Sequence, residues 1–152
     1  MDIYQRMKDK GIVLPKPPEK GGLYTPAQRF GQGLIYISGC GPAIDKPVRG
    51  KLGLDYDVEQ GASFARACML NVLAVLEREI GDLNKVKTLV KILTFVASAD
   101  DFTQQPQVAN GGSQLLIDLF GPELSPPARS AIGVNVLPGN IPVETEALFE
   151  IS

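Results

Sequence analysis

What most constrains this chain is how little helix it has to set against its strands. Only two stretches carry helical periodicity. In the first, Asp57 stands as an N-cap with Gln60 three residues on to return the bond. Ala62, Ala65, Cys68, Met69, Val72, Leu73, Leu76 and Ile80 then recur at helical spacing up to a stop at Gly81. The second helix is expected over much of Gln105 to Phe120, with Leu115, Leu116, Leu119 and Phe120 as its apolar stripe and Gly121-Pro122 as its end. Gly111-Gly112 would weaken its early turns.

The rest of the periodic sequence reads as strand. Residues 34–38 form a β-branched run stopped by Gly39-Cys40-Gly41-Pro42, and residues 43–56 a loop. Residues 85–96 form a long strand with Val86, Val90, Ile92 and Val96 on one face and Leu89, Leu93 and Phe95 on the other, as burial from both sides requires. Two more strands close the chain, one opening at Arg129 and one over residues 143–149. The expected order is strand, strand, helix, strand, helix, strand, strand. That is a single domain over residues 1–152, with two helices to cover one face of the sheet. The first 22 residues, with Pro15, Pro17, Pro18, Gly21 and Gly22, read as an extended arm ending in a turn. Nothing is left to cover the second sheet face, so oligomerisation through it is the expected remedy.

Composition prunes the chemistry. There is no histidine, so no imidazole base and no histidine-ligated metal. Cys40 and Cys68 are too few and too far apart for a zinc site or a Cys-x-x-Cys pair. Cys40 reads as a small semi-buried thiol, and the glycines around it lack the Gly-Lys-Ser/Thr of a phosphate loop. A net charge of −2 gives no general attraction to nucleic acid or to an anionic membrane. No apolar run is long enough to span a bilayer, and the N-terminus lacks a signal-like apolar stretch. A cytoplasmic location follows as the expectation.

Arg129 is the best clue to function. Alternation puts Arg129, Ala131, Gly133 and Asn135 on one face of their strand and Ile132, Val134 and Val136 on the other. A guanidinium flanked by two near-absent side chains leaves room for a small anion, which arginine grips bidentately. If the last two strands formed a hairpin about residues 138–141, Arg129 would lie opposite Glu150, about 20 Å along the strand from Glu144. Either these strands are not a simple hairpin, or a second subunit joins the two side chains. The second agrees with the uncovered face.

Pro127-Ala128-Arg129-Ser130, then Leu137-Pro138, then Val143-Glu144-Thr145-Glu146-Ala147 carry a resemblance to the Rid family, the enamine/imine deaminases also called the YjgF or L-PSP endoribonuclease family. Tyr24, Gly33-Leu34-Ile35-Tyr36-Ile37-Ser38-Gly39, and Val86-Lys87-Thr88 through Asp101-Phe102 extend it over most of the chain from Tyr24 onward. The resemblance implies an α+β fold of the chorismate-mutase-like type, a mixed sheet with two helices on one face, a homotrimer with clefts between subunits, and hydrolysis of 2-imino or enamine acids to 2-keto acids and ammonia. It implies no metal and no organic cofactor. Carried over by position, Arg129 matches the carboxylate-binding arginine and Glu144 the acid that positions or activates water. Gly39 matches a backbone contact with Ser38 beside it, and Tyr24 a tyrosine near the cleft. Ala131 stands where many members have cysteine, so only its backbone would act. The segment 103–113 is longer than in the family and lacks an aromatic expected near the helix start, which bears on substrate choice. Two other readings stay open: a small-carboxylate-binding or regulatory protein without turnover, and an RNA-cleaving one. Charge and the missing histidine give the latter poor support.

Overall fold

A computed structural model describes residues 2–124 and 126–152. The elements are α1 (Ile3–Asp9), β1 (Ala27–Phe30), β2 (Leu34–Cys40), α2 (Val58–Ile80), β3 (Val86–Ala97), α3 (Gln105–Phe120), β4 (Ala128–Val134) and β5 (Val143–Ile151). The five strands form one sheet in the order β1-β2-β5-β3-β4. All neighbours are antiparallel except β3 and β4, which run parallel and are joined through α3, the crossover that a parallel pair requires.

The helices end where side-chain chemistry says they should. Asp57 accepts from the Gln60 N–H while the Gln60 side chain accepts from the Asp57 N–H, and Gly81 takes a left-handed φ of 80° at the C-terminus of α2. Both α2 and α3 lie over one side of the sheet, where Val72, Leu73, Leu76, Leu115, Leu116 and Leu119 meet Ile35, Ile37, Ile92 and Phe149 in the main core. Gly111 and Gly112 serve the helix crossing. A Cβ on Gly111 would overlap the Ala62 carbonyl, so the bare backbone is what lets α3 approach α2 so closely.

Three expectations need correction. The first 22 residues are not extended throughout, because α1 occupies Ile3–Asp9. Its periodicity is too short to register, and tertiary bonds fix it: Ile3 N–H to Asn84 Oδ1 at 2.9 Å and Arg6 Nη1 to the Leu119 carbonyl at 3.1 Å. The Tyr4 hydroxyl also accepts from the Leu83 N–H at 3.0 Å. Second, the terminal strands are no hairpin. β5 inserts between β2 and β3, while β4 takes the outer edge, so Arg129 registers with Ile92. Third, register shifts in β3 between Val86 and Thr88 and between Leu89 and Lys91 change the alternation, and Leu89 joins Ile92 in the core.

Strand β5 shows the division of the sheet most plainly. Val143, Thr145, Ala147, Phe149 and Ile151 are buried under the helices, while Glu144, Glu146, Leu148 and Glu150 alternate onto the opposite side. On that side the register sets Leu148 beside Tyr36, and Glu144 and Glu146 beside Phe95 and Leu93. No element of the described residues covers them, and Tyr36 and Ile132 are 39% and 43% exposed.

Candidate functional site

A break in the β2–β5 ladder builds the site. Ile37 pairs with Ala147 and Cys40 with Thr145, so Ser38 and Gly39 together face the single residue Glu146. This is a β-bulge, a device that re-aims side chains and backbone. A Cβ on Gly39 would stand 2.7 Å from Glu144 Oε1 and 2.9 Å from its Cδ. The glycine therefore lets the Glu144 carboxylate lie flat on the bulged backbone.

Tyr24, Ser38, Gly39 and Glu144 line one cleft, which has two lobes. The inner lobe, about 240 Å³, runs under residues 18–21 to a floor of Cys40 and Val75. The outer lobe, about 480 Å³, opens past Pro138 and Glu146. Ser38 Oγ donates to the Thr25 carbonyl at 2.7 Å, and the Tyr24 hydroxyl accepts from the Gly21 N–H at 3.0 Å. The first bond ties the turn before β1 to the bulge, and the second closes the turn on itself.

Burial first, and the neighbouring Glu146 second, hold the Glu144 carboxyl above its ordinary pKa. Glu146 in turn accepts from the Tyr36 hydroxyl at 3.0 Å. Burial foremost, then the Glu144 carboxylate, push the Cys40 thiol up to about 11. Cys40 is thus an inert part of the floor rather than a nucleophile. Among the described residues no three His, Cys, Asp or Glu side chains gather as a metal-holding group.

Arg129 and Ala131 lie elsewhere. Both sit on edge strand β4, registering with Ile92 and Thr94, and so face the helices. Arg129 Nη1 donates to Asn110 Oδ1 at 2.8 Å and to Ser113 Oγ at 3.0 Å, both on α3. Among the described residues no carboxylate pairs with it, and its Nε and Nη2 make no hydrogen bond. The room expected beside Gly133 is taken by the chain itself, since a Cβ there would stand 2.8 Å from Gln105 Nε2. Arg129 and Glu144 consequently occupy opposite faces, two strands apart.

Asn110 and Ser113 are inconspicuous in the sequence because they flank Gly111-Gly112, which reads as a weak spot in a helix. Their signal is the i, i+3 spacing of two short polar side chains, which puts both on one helical face. Pro18, Pro26 and Val75 of the inner lobe carry no signal of their own; only the fold gathers them.

The sequence pattern of the family described as Endoribonuclease L-PSP matches residues 16–151. Protein TCP17 of Trypanosoma cruzi is 39% identical over 144 residues, covering 93% of this chain and 89% of that protein. The crystal structure of Atu1372 from Agrobacterium tumefaciens, described as of unknown function, is 35% identical with a TM-score of 0.88, over 99% of this chain and 92% of that one. The YjgF gene product of E. coli is 26% identical with a TM-score of 0.63, over 89% of this chain and 93% of that one. With the motifs around Arg129 and Glu144, the sheet order and these likenesses in agreement, the chain belongs to the L-PSP endoribonuclease, or YjgF, family.

Proposed function

We propose that this protein hydrolyses 2-imino acids and their enamine tautomers to 2-keto acids and ammonia, in clefts formed between the protomers of a cytoplasmic homotrimer. The observation that carries the reading is the Glu144 carboxylate, half-buried and laid over Gly39 at the junction of two open lobes. An iminium carbon is already electrophilic, so water needs placement and a proton acceptor more than activation. Water adds through oxygen to C2 as the C=N π pair moves to nitrogen, and Glu144 takes one water proton. The proton passes to nitrogen, the C–N bond breaks, and the C2 hydroxyl becomes the keto group as its proton is handed through Glu144 to the departing ammonia. One water and one iminium ion yield one keto acid and one ammonium ion.

Arg129 suits the substrate carboxylate. Its two acceptors, Asn110 and Ser113, are neutral, so they orient the guanidinium without cancelling its charge. It has to come from a neighbouring copy, because in its own chain it lies on the far side of the sheet from Glu144. Tyr24, Ser38 and the backbone of Gly39 would flank the substrate from the Glu144 side, and the backbone at Ala131 from the Arg129 side.

Freshly generated 2-iminobutanoate tests this. The native protein is expected to speed keto-acid formation, and Arg129→Ala to abolish that while sedimenting as the same trimer. A normal rate in the variant, or a monomeric native protein at micromolar concentration, would sink the reading. Gln105 beside Gly133 and the engaged Arg129 favour one second reading, carboxylate binding without turnover. Thermal stabilisation by 2-keto acids with no hydrolysis would select it. The RNA cleavage in the family's descriptive name finds no support in a chain of net charge −2 without histidine.

A further inference from the structure

The two lobes of the cleft differ in chemistry, and that difference orients a substrate. The inner lobe ends on Val75 and Cys40, 1% and 6% exposed, and Pro18 and Pro26 line it further out. Its charged groups other than Glu144 are Glu19 and Lys20, both exposed at the mouth. The outer lobe carries Glu146 and opens on the uncovered sheet face. Glu144 and Gly39 line both.

We infer that the inner lobe receives the substrate side chain, and that the preferred substrates are 2-imino acids with branched or aromatic apolar side chains. This rests on the deaminase reading above. With C2 beside Glu144, the carboxylate and the side chain must leave in different directions. A carboxylate sent inward would lose its water against Val75, Cys40 and the prolines with no buried cation to meet it, a costly placement. Sent outward, it reaches the open face, where a neighbouring protomer can present its arginine. The side chain is left with the inner lobe.

Size then sets the class. A cavity of about 150 Å³ accepts benzene, with six non-hydrogen atoms, so by proportion about 240 Å³ holds on the order of ten. The methyl of an alanine-derived imine or the ethyl of 2-iminobutanoate leaves most of that space empty. An isobutyl or benzyl group fills it far better, and each methylene buried in such a pocket is worth about tenfold or more in discrimination.

The test compares imino acids generated in place by an amino-acid oxidase from leucine, phenylalanine, alanine and glutamate, with keto-acid formation as the readout. The native protein is expected to favour the leucine- and phenylalanine-derived imines over the alanine-derived one by at least about tenfold in kcat/KM. Val75→Met, which extends into the lobe from its floor, should reduce that ratio by about tenfold, and Pro18→Trp, from its outer wall, should reduce it too. Both substrates are measured on the same sample, so the ratio does not depend on how much variant folds. No preference for the larger side chains, a preference for the glutamate-derived imine, or a ratio untouched by both variants overturns the assignment while leaving the deaminase reading standing. Failure to hydrolyse any imine overturns the deaminase reading itself.

Discussion

Replacing Gly111 by alanine is expected to destabilise this fold, against the usual trend. In a helix interior alanine is favoured over glycine by roughly 0.5–1 kcal/mol, because glycine loses more backbone freedom on folding. At Gly111 the new Cβ would overlap the Ala62 carbonyl oxygen and stand 2.6 Å from its carbon and 3.0 Å from its Cα. All three are backbone atoms of α2, so no side-chain rotation relieves the clash. Restoring ordinary contact, 3.4 Å or more, with the Ala62 carbonyl oxygen requires α2 and α3 to part by roughly 1.5 Å. Parting them loosens Met69, Val72, Leu115 and Leu116, which share the core beneath. Overpacking of this kind costs about 1–3 kcal/mol, and a backbone collision belongs at the upper end. After the helix gain is subtracted, about 2 kcal/mol of net loss remains, or a Tm lower by about 4–8 °C for a domain of this size. Thermal and urea unfolding at matched protein concentration measure it, since the proposed assembly would make Tm concentration-dependent. Gly112→Ala is the control: its Cβ would meet the Ala65 carbonyl at 3.2 Å and Met69 at 3.6 Å, a fit that small shifts relieve. A Gly111→Ala protein as stable as the native one would refute the close-approach account of this glycine pair.

Further outcomes follow from the site. Glu144 has a folded pKa raised chiefly by burial and then by Glu146, so folding favours its protonated form. That contribution is complete below the unfolded carboxylate pKa and is lost as pH rises through the higher folded value. Glu144→Gln should therefore be more stable than the native protein at neutral pH, with the difference closing in acid, and should lose imine hydrolysis. Urea titrations across pH check the sign, and a less stable variant at neutral pH contradicts it. The acid limb of native activity should lie above the ordinary carboxylate range. Cys40, with its pKa near 11, carries about one part in a thousand of thiolate at pH 8, so iodoacetamide should modify it only after unfolding. Labelling of the native protein at the rate of a free thiol would exclude that. Asn110→Asp sets a carboxylate where Arg129 now finds a neutral acceptor, and should raise KM about tenfold by competing for the guanidinium; an unchanged KM argues against a substrate role for Arg129.

The elements with strong local chemistry were legible from residues alone. The Asp57–Gln60 pair and Gly81 bracketed α2 correctly, and the Leu115–Phe120 stripe located α3, because caps and periodicity are properties of neighbouring residues. Strand pairing is not such a property. The run from Arg129 to Phe149 looks like two strands about a Pro-Gly turn, and only competition among β2, β3 and β5 for partners decides that β5 enters the middle of the sheet. The same holds for Leu89, whose face depends on register shifts that alternation cannot foresee. Within the candidate site, Glu144 and Gly39, which the motifs single out, lie together, whereas Asn110, Ser113 and the inner-lobe prolines emerge only from the packing.

The division of the motif residues between two faces follows from counting along the strands. Arg129 stands beside Ile92, and Ile92 beside Ala147, so all three point toward the helices. Glu144 lies three residues before Ala147, an odd number, and therefore points away from them. No rotamer of either side chain crosses the sheet, and adjusting the register by one residue would bury a carboxylate among Val72, Leu76 and Phe149. A ligand touching both groups thus needs two chains. The strand that carries Arg129 is at the edge of the sheet, with no further strand among the described residues to block the guanidinium from a neighbour's open face. The half-buried carboxylates on that face, Glu144 and Glu146, are the complement a cationic edge would seek. The arrangement that completes the proposed site is therefore also one that covers Tyr36, Leu93, Phe95 and Leu148, apolar side chains that a lone chain leaves partly to water.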